Sequence, residues 1–216
     1  TVGDQVSEAY RLHTDATETE ARDRAIDFMT RVGFRDAALR YNSYPHQLSG
    51  GMRQRAMIAM ALICEPELLI ADEPTTALDA TVQAQILDLL LEMREQLGLA
   101  ILFISHNLAV VSELADRVTI IYAGKIMETL PAAALANGAR HPYTTGLLET
   151  LPSLEKRGQP LPVLEGILTD EDRQHAGCPF APRCPEAIEA CSEEMPSIRP
   201  LSEVHRAACH VLVGAQ

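Results

Sequence analysis

Leu48-Ser49-Gly50-Gly51-Met52-Arg53-Gln54-Arg55, followed by Leu68-Leu69-Ile70-Ala71-Asp72-Glu73-Pro74-Thr75-Thr76-Ala77-Leu78-Asp79, decides the fold of this chain. In the first segment Ser49 is a strong helix N-cap, because its hydroxyl accepts from the free amides of the next turn. Gly50 and Gly51 lack a Cβ, so the backbone there can come close to a ligand. The positive end of the helix that follows favours an anion such as a terminal phosphate. An ordinary capped core helix, with Met52, Ala56, Ile58, Ala59 and Leu62 as its apolar body, explains the same residues. In the second segment Leu68–Ala71 is a short apolar run, expected to be a parallel strand buried on both faces. It ends in Asp72 and Glu73, at the carboxyl end where open α/β sheets bind ligands. Neighbouring strand residues point in opposite directions, so the two acids can do different work. Asp72 suits the shell of a Mg²⁺ ion, and Glu73 suits polarising a water.

A further apolar run, Ala100–Ile104, leads into Ser105-His106-Asn107. With these segments in this order, the chain resembles the ATP-binding cassette (ABC) ATPases. Leu48–Arg55 matches the signature motif of that family, Leu68–Glu73 the Walker B strand, and Thr76–Asp79 the D-loop. His106 matches the switch histidine that contacts the γ-phosphate. A lone histidine after a strand is usually structural, and Asp-Glu after an apolar run is usually a strand end meeting solvent. Four such motifs in this order are very specific.

The resemblance implies an α/β fold, a partial P-loop NTPase-like (RecA-like) cassette with a helical subdomain. Residues 1–65 would form the helical subdomain with the signature motif. Residues 66–140 would form the C-terminal part of the ATPase core, and 141–216 a small cysteine-containing C-terminal extension. It further implies ATP and Mg²⁺ as ligands, with Glu73 as general base, Asp72 on Mg²⁺ and His106 as γ-phosphate sensor. Ser49, Gly50, Gly51 and Gln54 would touch the nucleotide held by a second ATPase subunit, identical or not, and Asp79 would couple the two.

No G-x-x-x-x-G-K-[ST] occurs in the sequence, and the single Gly-Lys pair, Gly124-Lys125, is followed by Ile126. That pair reads as the turn of a hairpin between Val118–Tyr122 and Lys125–Glu128. The chain begins with Thr1, and Thr1–Gln5 resembles the segment after the family's Q-loop. The phosphate-cradling loop and the Q-loop are therefore expected upstream, and residues 1–216 alone are expected not to hydrolyse ATP.

Composition narrows the class. The 216 residues are 47% hydrophobic, enough for one sizeable core and a satellite. Apolar runs fall well short of the roughly 20 residues of a membrane span, so membrane attachment would come through partner subunits. A formal net charge of −12 argues against a nucleic-acid surface, and hence against DNA-maintenance relatives that share the signature motif. Apolar stripes predict helices over Glu18–Val32, through Ala21, Ala25, Met29 and Val32, and over Thr81–Leu97. The second stripe holds Val82, Ile86, Leu89, Leu90, Met93 and Leu97, and Gly98 is its stop.

After residue 140, His141-Pro142-Tyr143 leads into a stretch broken by Pro152, Gly158, Pro160 and Pro162, which reads as a connector. Cys178, Cys184, Cys191 and Cys209 follow, and Cys64 stands apart as an expected inert core thiol in a helix. Four thiols in a loop-rich tail suit a metal centre, which staples a segment with little core. Disulfides are the plainer alternative, disfavoured in a reducing compartment. Zinc prefers closer cysteine pairs than these; the wide spacing is compatible with an iron–sulfur cluster without being a ferredoxin pattern.

The tail, with Gly177-Cys178-Pro179-Phe180 and Pro182-Arg183-Cys184-Pro185, resembles the C-terminal extension of oligopeptide/dipeptide importer ATPases. Some of those carry a [4Fe–4S] cluster on such cysteines. Leu168–His175 departs from that likeness, being more acidic and poorer in proline than expected there. The resemblance implies a peptide-importer ATPase on the cytoplasmic face of the membrane, working under two membrane permease subunits fed by a solute-binding protein. Nickel or glutathione remains an alternative cargo. A non-catalytic partner, or a metal-binding relic, is the alternative from a different class.

Overall fold

The computed structural model describes residues 1–151, 163–169 and 176–213. The chain divides into two compact units, Thr1–His106 and Asn107–Gln216. The connector residues Pro152, Gly158, Pro160 and Pro162 lie outside the described residues, as does most of Leu168–His175.

The first unit opens with two helices that share a start signal. Helix α1 (Val2–His13) is capped by Thr1 and α2 (Glu18–Arg31) by Thr17; Asp4 and Glu20 complete the two capping boxes. Each box satisfies two amides that a helix start leaves without a partner. Val2 and Val6 of α1 and Ala25, Phe28 and Met29 of α2 enter one core with Ile58, Ala59 and Leu62 of α4 (Gly50–Leu62). A short helix, α3 (Ala37–Arg40), lies between α2 and α4 in sequence. Cys64 lies past the last residue of α4 and is exposed, with its sulfur 3.8 Å from the Ala9 carbonyl oxygen. The expected buried core thiol is thereby corrected: the apolar helix stops before it arrives.

Strands β1 (Leu68–Asp72) and β2 (Ala100–Ile104) pair in parallel, Leu68 opposite Ala100 and Asp72 opposite Ile104. Helix α5 (Ala80–Leu97) connects them and buries Ile86, Leu89, Leu90 and Met93 in the core that also holds Leu69. Gly98 ends it in the left-handed conformation, φ 65°.

The strand expectation needs correction. Leu69 and Ala71 are buried, whereas Leu68 is 52% and Ile70 61% exposed, with Leu102 and Ile104 exposed beside them. Alternate side chains face opposite sides of a sheet. The helices cover one side, and no residue of this unit covers the other.

The second unit is built on an antiparallel sheet. Asn107 caps α6 (Leu108–Leu114) by accepting from the Ala109 and Val110 amides. Strands β3 (Arg117–Tyr122) and β4 (Lys125–Pro131) form the hairpin predicted from Gly124-Lys125. Ala123 and Gly124 both have positive φ (50° and 76°), as the turn matching the twist of a tight hairpin requires. The chain tail then returns: β6 (Arg206–Ala207) pairs with β4, and β5 (Arg199–Pro200) with β6, giving the order β3-β4-β6-β5.

Helix α7 (Leu135–Gly138) and helix α8 (Pro142–Glu149) follow β4; the α8 cap is the ring Nδ1 of His141, accepting from the Tyr143 amide. Tyr122, Tyr143 and Phe180 pack ring on ring at 4.7–5.4 Å. Arg183 donates to the Tyr122 hydroxyl and to the Leu164 and Glu165 carbonyls, holding residues 164–165 against that cluster.

Candidate functional site

The end of β1 carries the acids. Asp72 closes the strand, exposed to solvent. Glu73 then leaves the strand by a left-handed backbone step, φ 48°. That conformation is uncommon for a residue with a side chain, and such residues cluster at functional sites. The two acids are thus separated by a break in the strand as well as by alternation along it. The Glu73 amide still donates to the Ile104 carbonyl at 2.9 Å, tying the break to the end of β2.

The Glu73 carboxylate is engaged at both oxygens. Oε1 accepts from the His106 amide at 3.1 Å and meets His106 Nδ1 at 2.7 Å. Oε2 accepts from the Thr76 hydroxyl at 2.8 Å. The hydrogen bond from the His106 ring, then that from Thr76, hold the Glu73 carboxyl below the usual carboxylate range. An ionised carboxylate only accepts, so Nδ1 must carry the proton that faces it. Nε2 is then left for another partner on a side chain 79% exposed. The arrangement is an anionic oxygen pair with a histidine edge beside it, open to solvent. Chemically it can accept a proton from a water and place a histidine nitrogen near a neighbouring oxygen.

A second locus lies at the start of α4. Ser49 accepts from the Met52 amide at 3.3 Å, an N-cap as expected from sequence. Gly50 would meet Leu78 at an ordinary 3.5 Å if it carried a Cβ, but a Cβ on Gly51 would lie 2.6 Å from Val82 Cγ1. The missing side chain at Gly51 therefore serves the packing of α4 on α5. Asp79 caps α5 by accepting from the Val82 amide at 3.0 Å. The starts of α4 and α5 are thus brought together, while the hydrogen-bonded cluster around Glu73 does not include Ser49, Gly51, Gln54 or Asp79.

The cysteines of the second unit converge. Cys178, Cys184, Cys191 and Cys209 all line one small cavity, together with His141, Phe180 and His210. All four are free thiols, Cys178 and Cys191 buried and the other two half-buried. Burial pushes the thiols of Cys178, Cys184 and Cys209 up, favouring the neutral form. Among the described residues no three His, Cys, Asp or Glu side chains are set to close round a single metal ion.

Beside this cavity runs a polar seam that sequence reasoning missed. Glu128 on β4 is fully buried and accepts from the Arg140 amide at 2.7 Å, and its Oε1 lies 2.8 Å from His205 Nε2. Nothing in the local sequence points to a residue 77 positions away as its partner. The Thr76 hydroxyl was also missed as a partner of Glu73, because local patterns pair such a hydroxyl with backbone and not with a side chain.

No helix among the described residues is long and apolar enough to cross a membrane. Residues 2–76 match the family model described as ABC transporter. Residues 127–191 match the model described as oligopeptide/dipeptide transporter, C-terminal region. A peptide import ATP-binding protein of Brucella ovis is 47% identical over 215 residues, covering 97% of this chain and 64% of that protein. The dipeptide transport ATP-binding protein DppD of Escherichia coli K12 is 46% identical over 210 residues, with the same coverage of each. The chain thus spans less than two thirds of the length of these relatives. Among solved structures, CbiO1 of Clostridium perfringens, part of the ABC transporter complex CbiONQ, is similar with a TM-score of 0.54 and 30% identity. That likeness covers 61% of this chain and 51% of CbiO1. With an ABC match at one end, an oligopeptide/dipeptide-type match at the other and close identity across both, the chain belongs to the ABC transporter ATP-binding family.

Proposed function

We propose that this chain is part of the ATP-hydrolysing subunit of an ABC importer for di- and oligopeptides. The observation that carries the reading is the Glu73 carboxylate, fixed by His106 and Thr76 at the end of β1 next to Asp72. Phosphoryl transfer needs positioning and charge stabilisation more than covalent chemistry. Glu73 takes the proton of the attacking water, and His106 is the γ-phosphate sensor, donating from Nε2 when both ring nitrogens carry a proton. Asp72 is the carboxylate for Mg²⁺, which neutralises charge on the phosphate oxygens. Ser49, Gly50, Gly51 and Gln54 reach the nucleotide held by a second ATPase subunit, in a homo- or heterodimer. Asp79 links the two subunits while capping α5.

The assembly sits on the cytoplasmic face of the membrane under two permease subunits, with a solute-binding protein delivering cargo. Peptides are favoured over nickel or glutathione by the names of the relatives and by the family match of the tail. The test is Glu73→Gln in the reconstituted transport complex. The expected result is a loss of ATP turnover of about 10²–10⁴-fold with nucleotide binding retained. Unchanged turnover would refute the assignment and favour a non-catalytic partner role.

The four-cysteine cavity supports a further reading, a [4Fe–4S] cluster in the extension. Each iron of such a cluster takes one thiolate, so the cysteines need to surround a space. Zinc would draw all its sulfurs to within about 2.3 Å of one point, and metal content separates the two readings. Because burial favours the neutral thiol at Cys178, Cys184 and Cys209, loading releases protons and weakens as pH falls. Anaerobic reconstitution of the chain with iron and sulfide should give a cluster absorption band. Serine at any two of the four positions should abolish it. A stoichiometric zinc content in the protein as isolated, with no cluster on reconstitution, would refute it.

A further inference from the structure

Thr76 opens the segment matched to the D-loop without a role of its own there, yet it makes a hydrogen bond that a turn residue does not ordinarily make. A Thr or Ser in a turn usually bonds a nearby backbone group. Here the backbone turn is already closed by the Thr76 amide on the Glu73 carbonyl at 3.2 Å, and the hydroxyl goes instead to Glu73 Oε2. Thr76 is exposed, so it is not held in place by packing. The left-handed residues Glu73 and Ala77 (φ 48° and 64°) bracket it. Each is a backbone conformation that costs energy and persists only where the surroundings impose it.

The consequence follows from counting acceptor sites. A carboxylate offers about four lone-pair directions. His106 occupies two, both on Oε1, through its amide and its ring. Thr76 occupies one on Oε2. One direction on Oε2 is left, and it is the place where a water can give up its proton. The last torsion of a glutamate is broad and weakly restrained. Held at Oε1 alone, the carboxylate would swing and carry that direction with it.

We propose that Thr76 is a positioning residue that locks the carboxylate plane of Glu73 and aims its remaining acceptor site at the attacking water. This rests on the reading of Glu73 as the base.

The experiment has two arms, with Thr76→Val removing the hydroxyl at nearly constant shape and Thr76→Ser retaining it. In the 216-residue chain, the carboxyl carbon-13 resonance of Glu73 at neutral pH reports the contact directly. It should move in Thr76→Val and return in Thr76→Ser, while the amide resonances of α5 stay in place in both. In the reconstituted transport complex, Thr76→Val should lower kcat about ten- to a hundredfold with KM for ATP unchanged. Thr76→Ser should restore kcat. An unmoved Glu73 resonance, an unchanged kcat, or a loss in Thr76→Val that Thr76→Ser does not restore would each overturn the proposal. If Glu73→Gln leaves turnover intact, the role of Glu73 as base fails, and the carbon-13 arm still decides whether Thr76 holds it.

Discussion

Gly51→Ala tests what the second glycine of the Ser-Gly-Gly segment is for. The added methyl carbon would lie 2.6 Å from Val82 Cγ1, with Val82 Cβ and Cγ2 both at 3.9 Å. Ordinary carbon–carbon contact is about 3.5–4.0 Å, so a single valine methyl is overlapped by roughly 1 Å. A valine on a helix is confined to one rotamer. The strain must therefore be relieved by moving α4 against α5. Overpacking of this kind costs about 1–3 kcal/mol. Exchanging Gly for Ala in a helix returns up to about 1 kcal/mol, less in the first turn, where Gly51 stands. The expected net loss is about 1–2 kcal/mol.

Val82→Ala alone should cost about 1 kcal/mol for methyl groups only partly removed from water. In the double variant the new methyl occupies the space the old one vacated, so the two changes should be coupled favourably by about 1–2 kcal/mol. Amide hydrogen exchange in the cores of α4 and α5 reads this out unit by unit. A loss of 1.4 kcal/mol appears as about tenfold faster exchange. Additivity within about 0.5 kcal/mol would refute the reasoning and return Gly51 to a purely ligand-facing role.

Other outcomes follow from the same geometry. Phe28 is fully buried with the Arg24 and Arg31 guanidinium carbons 4.6 and 5.0 Å from its ring centre; Phe28→Ala should destabilise the first unit by about 3–5 kcal/mol in thermal or exchange measurements. His205→Ala strands the buried Glu128 carboxylate with the Arg140 amide and should cost about 3 kcal/mol, read as faster exchange in β4 and β6; adding Glu128→Gln should recover part of it. Burial depresses the His141 pKa, against the opposing pull of the Glu128 charge and a hydrogen bond to the Ala208 backbone. A depressed folded pKa means that the unfolded chain takes up the proton first. The second unit should therefore keep its stability above the ordinary histidine value of 6.5 and lose it as pH falls below that value. His141→Asn, which keeps a helix cap, should flatten that slope in exchange or melting experiments.

What could be read from the chain was local. Ser49 declares its helix because a cap acts on amides two or three residues away. The stripe from Val82 to Leu97 declares α5 because its period is that of a helix, and Gly124 marks a turn within a few residues. Glu73 and His106 could be paired only through the order of family motifs, and their 2.7 Å contact depends on β1 and β2 lying side by side. The readings that failed concerned surroundings. Leu68 and Ile70 look like core residues, but burial is decided by what covers a strand and not by the strand itself. Cys64 looked buried because its neighbours are apolar, yet the helix ends before it. Glu128 looked like an ordinary hairpin residue, and only the return of the tail to β4 gives it His205 as a partner.

For residues 1–216 taken on their own, the one-sided sheet sets the colloidal behaviour. Leu68, Ile70, Leu102 and Ile104 form an apolar strip, and among the described residues the outer edges of both β1 and β2 have no strand beside them. Unpaired edges next to exposed aliphatic side chains are a template for joining chain to chain. Against that stands a formal charge of −12, which keeps copies apart. Salt weakens the repulsion, with a screening length of about 8 Å at physiological ionic strength, and leaves the strip untouched. Copies of the chain should stay dispersed in dilute buffer and gather as salt is raised, each sheet closing on a neighbour.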